Sequence, residues 1–149
     1  MESYDTDRAQ RVWQRVQSER PVPEADFSPM MLRARQTAGA YLALARRISR
    51  DTATLKALAN AKQAQAACLT GMQLLSGLPV PDGILESGRG DLGWCYAQEL
   101  QALGDYELWS SHRRFGPAFR DLAAEQLRHC RQVLELAGRI GKMQKSGTP

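Results

Sequence analysis

The chain has 149 residues, 43% of them hydrophobic and 24% charged, with a formal net charge of +4. That composition fits one globular domain able to bury about two-thirds of its unfolded surface. No apolar run approaches the roughly 18 residues of a membrane span, and the acidic, polar start "MESYDTDRAQ" is not a secretory signal.

A first helical piece is expected over about 5–18, docked through Trp13 against the rest of the protein rather than on a membrane. The three prolines of "SERPVPEADFSP" (18–29) end it. Helical patterns follow over about 29–48 and 52–75, with Ser49 or Asp51 as N-cap of the second. "SGLPVPDGILESGRGD" (76–91), with two prolines and four glycines, breaks the pattern. Two more helices are expected, at about 92–113 after Asp91 as N-cap and about 117–141 with Pro117 in the first turn.

No stretch alternates with period two, so the chain reads as all-α. One domain covers 1–149: an N-terminal helix and proline-rich linker (1–28), a helix pair (29–76), a connection (77–91), a second pair (92–142) and a tail (143–149). The short joints inside each pair make its helices antiparallel neighbours in an up-down four-helix bundle.

Cys68, Cys95 and Cys130 are odd in number and lie inside helical patterns. They read as reduced core thiols of a cytoplasmic protein. The basic clusters "RRISR" (46–50) and "HRRFGPAFR" (112–120) fall near helix ends, where the dipole favours arginine. No recognition motif accompanies them, so a nucleic-acid partner is not expected. There is no glycine-rich phosphate loop and no Cys-x-x-Cys pair, and the histidines are His112 and His129.

"QTAGAY" (36–41) and "QALGDY" (101–106) share Gln, Gly and Tyr at an offset of 65 residues. At the same offset Asp51 falls on Gly116 at the inter-helix joints, and Ala59 falls on Ala124. An internal duplication of a helix pair explains both.

In the last helix Leu122, Gln126, His129, Val133, Leu136 and Ile140 form one stripe, with two polar residues in its middle. Sixty-five residues earlier that stripe becomes Ala57, Ala61, Ala64, Cys68, Gly71 and Leu75. The partner helices offer Trp94, Ala97, Gln101, Gly104 and Leu108, and Leu32, Gln36, Gly39 and Ala43. The expectation is one buried cluster of Gln36, Gln101, Gln126 and His129, with Gly39 and Gly104 permitting close helix approach. Taken singly, each polar residue is a satisfied core group and Tyr41 and Tyr106 are core aromatics.

Duplicated helix pairs about a long connection resemble the ferritin-like superfamily, in particular its rubrerythrin-like branch. "YLALARRISRDTATLKALANAKQAQAACLTGMQLLSG" is similar to rubrerythrin-like helix pairs, and "DLAAEQLRHCRQVLEL" to the final ligand helix. The resemblance spans about 30–141. It implies a dimetal centre with one Glu from each of two helices and Glu-x-x-His from each of the others. Carried over, the single-Glu positions fall on Gln36 and Gln101, and the two pairs on Ala61/Ala64 and Gln126/His129. Only His129 remains a ligand type, and no carboxylate remains to hold a hard metal pair.

Nearby acids offer a weak rebuilt site of Asp105, Glu125 and His129, while Glu99, about 200° around the helix from Gln101, is expected to point away. The leading expectation is therefore a metal-free, non-catalytic ferritin-like bundle with a structural or interaction role, without catalytic residues or cofactor. It would pair with itself or a related helical protein. The alternatives are an iron- or manganese-dependent redox enzyme with a rebuilt centre, or a binder of a small apolar ligand in space left by Ala61 and Ala64.

Overall fold

The computed structural model describes residues 8–11, 26–81 and 90–146, with side chains placed up to 141. Four long helices carry the fold: α1 (Ser28–Arg47), α2 (Thr52–Leu75), α3 (Leu92–Trp109) and α4 (Gly116–Ser146). Residues 8–11 are also helical, and no strand occurs among the described residues. The rest of the expected 5–18 helix, Trp13 included, lies outside the described residues.

The helix starts follow the local chemistry. Asp91 accepts a hydrogen bond from the Trp94 backbone N–H at 2.8 Å, as an N-cap should. Asp51 holds a left-handed backbone conformation (φ 58°) ahead of α2 and pairs its carboxylate with Arg139 instead of capping. Two boundaries differ from expectation. α3 stops at Trp109 rather than near 113, because the His112 ring accepts from the backbone N–H groups of Arg114 and Phe115 and starts a new helix there. α4 runs on to Ser146, beyond the expected 141.

Contacts along the helices set their directions. Met31 meets Thr70 and the Phe27 backbone meets Gln73, so α1 and α2 run antiparallel. Gln126 reaches the Glu99 backbone and Phe119 packs on Tyr106, so α3 and α4 do too. Arg33 pairs with Asp105 while Arg47 reaches Gly90, which makes α1 antiparallel to α3. Asp51 with Arg139, and Leu75 with Arg114, make α2 antiparallel to α4.

These four relations leave α2 parallel to α3. The described ends of the connection after α2 accordingly lie toward opposite ends of α1: Pro81 O accepts from Arg35, and Gly90 O from Arg47. Sixteen residues span at most about 53 Å, ample for a helix of about 30 Å. The simple up-down order expected from the sequence is thus corrected to an order with one long crossover. At its far end Gly90 lies so close to Trp94 that a Cβ would come within 2.4 Å of the indole.

Two apolar clusters fill the bundle, one at each end. Phe27, Met31, Leu69, Phe115 and Phe119 anchor the first. Tyr41, Leu44, Leu55, Leu58, Val133 and Leu136 anchor the second. A layer of buried polar side chains separates them.

Candidate functional site: a buried polar centre

The middle layer holds Lys62 and Gln65 from α2, Glu99 from α3, and Gln126 and His129 from α4. The two α2 residues are three apart, as are the two on α4, so each pair shares one inward face. Their partners fix nearly every polar atom.

The Lys62 ammonium has three N–H donors and meets three oxygens. It donates to Gln65 Oε1 at 2.8 Å and to Gln126 Oε1, and it pairs with Glu99 Oε1 at 2.8 Å. Both members of the Lys62–Glu99 pair are 1% exposed. Burial pushes the Lys62 pKa down and the Glu99 pKa up, and the attraction between them opposes both shifts.

The amides complete the network. Gln65 Nε2 donates to Gln126 Oε1 at 3.1 Å and faces His129 Nδ1 at 3.5 Å. Gln126 Nε2 donates to the Glu99 backbone carbonyl at 2.8 Å, and the Tyr106 hydroxyl donates to Gln65 Oε1 at 3.3 Å. A neutral His129 that accepts from Gln65 at Nδ1 carries its proton on Nε2, which faces Glu125 at 3.4 Å. Burial, then the Lys62 and Arg128 charges, lower the His129 pKa to about 4.

Among the described residues, two buried side-chain atoms, Tyr41 Oη and Glu99 Oε2, have no partner at full hydrogen-bond geometry. They lie near each other, since Glu99 is second only to burial among the causes that raise the Tyr41 pKa. Beside Glu99, between α1 and α3, a cleft lined by Ala34, Thr37, Lys62, Gln98 and Tyr106 has about 10 Å³ free, room for a single water.

The sequence reading placed this layer correctly on α4 and wrongly elsewhere. Gln126 and His129 are buried, but Gln36 and Gln101 are exposed, so the four-residue cluster does not exist. Ala61 is half-buried and Ala64 exposed; the α2 stripe running through them and Cys68 faces outward, which makes Cys68 no core thiol. Cys95 and Cys130 are buried as expected. Gly104 is exposed with nothing near its missing Cβ, so it permits no close approach. Glu99, expected to point away, is the buried carboxylate.

The rebuilt metal site fares no better. Asp105 pairs with Arg33, and Glu125 faces the opposite ring nitrogen of His129 from Glu99. Among the described residues no group of three or more His, Cys, Asp or Glu could hold a metal ion.

The reason lies in register. Tyr41 is seven residues from Ala34, two helical turns on the same face, but five from Gln36, about 140° away. The face carrying the tyrosines is therefore Met30, Ala34 and Tyr41 in α1 and Cys95, Glu99 and Tyr106 in α3, matched at an offset of 65. The second helices instead match at 64. Phe119, Leu122, Gln126, His129, Cys130, Val133 and Leu136 then fall on Leu55, Leu58, Lys62, Gln65, Ala66, Leu69 and Met72, every one buried. α2 starts at 52 and α4 at 116, which is the same 64-residue step.

The positions related by these steps around the middle layer hold Ala34, Lys62, Gln65, Glu99, Gln126 and His129. One carboxylate and one imidazole remain, and an ammonium sits among them, so these residues do not fit two divalent ions. No family model, no curated protein and no solved structure matches this chain.

Proposed function

We propose that this protein is a ferritin-like bundle, rubrerythrin-like in ancestry, in which a lysine ammonium has taken over the charge role of a metal pair, and that it serves a structural or interaction role without catalysis. The observation that carries this reading is Lys62, fully buried at mid-bundle and hydrogen-bonded to oxygens from α2, α3 and α4. Four carboxylates would balance two divalent ions. Here one carboxylate, Glu99, balances one ammonium, so the charge closes at a smaller scale.

Three features support the ancestry: the single long crossover, the duplicated buried faces at offsets of 65 and 64, and the i,i+3 pairs Lys62/Gln65 and Gln126/His129 at the facing positions. The exposed Leu74, Leu75, Leu100, Leu108, Leu127 and Leu134 supply apolar surface for a second copy or a related helical protein. The apolar-ligand alternative loses its premise, because Ala61 and Ala64 do not line the centre and Lys62 and Gln65 fill it.

Restoring the ligand set tests the reading. The variant Ala34→Glu, Lys62→Glu, Gln65→His, Gln126→Glu keeps Glu99 and His129 and completes six ligands. It should bind two iron or manganese ions per chain, counted by elemental analysis after loading and gel filtration. A folded variant that retains no metal would contradict the proposed ancestry.

A further inference from the structure

The Lys62 pocket is more than a filled hole. Glu99 Oε1, Gln65 Oε1 and Gln126 Oε1 converge on one point from three helices, and the two amides are held there by other bonds. Gln126 is fixed by its amide nitrogen on the Glu99 carbonyl, and Gln65 by Tyr106 and His129. A set of acceptors positioned in this way does not depend on the lysine being covalently attached. We infer that the three oxygens form a preorganised receptor for a primary ammonium ion, which the protein occupies with its own side chain, and which will bind free alkylammonium once that side chain is shortened.

The geometry specifies the ligand class. Three acceptors suit the three N–H donors of R–NH3⁺, leaving the fourth direction for carbon. A quaternary ammonium has no donor and cannot satisfy them. A bare metal cation would need more oxygens than three. Beyond Cβ, lysine continues as three methylenes and the ammonium, which is n-propylammonium in outline. The cleft between α1 and α3 over Ala34 already reaches Lys62, and shortening that side chain enlarges it.

The inference rests on the geometry of the centre and not on its ancestry, so either can fail alone: metal retention by the restored variant reports on ancestry, and the following experiment on the receptor. Lys62→Ala in the full chain is unfolded thermally in ammonium, methylammonium, n-propylammonium and tetramethylammonium chlorides at equal ionic strength. The expected result is a saturable rise in Tm, largest for n-propylammonium, smaller for methylammonium and ammonium, and absent for tetramethylammonium. Lys62→Ala combined with Glu99→Gln should lose most of the response. If Lys62→Ala does not fold in sodium chloride, recovery of helical circular dichroism with n-propylammonium is the equivalent readout. An equal response to all four cations, no response, or no folding in any of them would overturn the receptor.

Discussion

Lys62 Nζ and Glu99 Oε1 form an ion pair at 2.8 Å between α2 and α3, two helices that run parallel, with both side chains 1% exposed. Removing one partner leaves the other charge buried and uncompensated. Lys62→Met or Glu99→Leu alone should therefore cost about 3–5 kcal/mol, whereas the double change should cost clearly less than the sum of the two. Urea unfolding of the three variants measures the coupling, and additive costs would show that the pair does not interact as described.

The two tyrosines, 65 residues apart, should respond differently to loss of the hydroxyl. Tyr106 donates to Gln65, so Tyr106→Phe should cost about 0.5–1.5 kcal/mol. Tyr41 Oη lies beside the Glu99 carboxylate without full hydrogen-bond geometry, so Tyr41→Phe should cost less than Tyr106→Phe. Paired denaturation curves decide this, and a costlier Tyr41→Phe would mean that its hydroxyl has a bound partner.

His129 gives the fold an acid limit. Its folded pKa, about 4, lies below the ordinary value of 6.5. The unfolded chain therefore binds the extra proton first as pH falls. The stability from a neutral His129 is fully present above about 6.5 and is lost progressively down to about 4, up to about 3 kcal/mol in total. The groups facing it are Glu99, Glu125, Gln65, and through charge Lys62 and Arg128. His129→Gln should flatten the stability profile between pH 6.5 and 4; an unchanged slope would assign the acid sensitivity to a group other than His129, and not to Glu99, whose raised pKa favours the folded state as pH falls.

The turn between α3 and α4 depends on His112, whose Nδ1 accepts from the Arg114 and Phe115 backbone N–H groups at 3.2 and 3.1 Å. His112→Ala should cost about 1 kcal/mol, as loss of an N-terminal cap does, and His112→Asp should recover much of it. Thermal denaturation reads both, and equal losses would indicate that ring packing on Phe115 rather than capping sets the cost.

The helices, their joints and the inward face of α4 were legible in the sequence because turn residues and a strongly amphipathic pattern mark them. The centre was not legible on α2 and α3. α2 is rich in alanine on every side, so apolarity does not distinguish its buried face from its exposed one. Its inward residues include Lys62, a type almost never buried unless paired, and the partner Glu99 sits on another helix. The usable signal was the seven-residue spacing from Tyr41 to Ala34 and from Tyr106 to Glu99. The crossover was legible only as a long connection, since direction comes from contacts such as Arg47 with Gly90.

The central claim is that Lys62 stands where a metal pair would be, and the most direct test is the iron stoichiometry of the native protein. Purified chain is loaded anaerobically with excess ferrous iron, passed through gel filtration and assayed for iron per chain. The account predicts no retained iron, because an ammonium already pairs with Glu99, the one buried carboxylate among the described residues. Two irons retained per chain would contradict it.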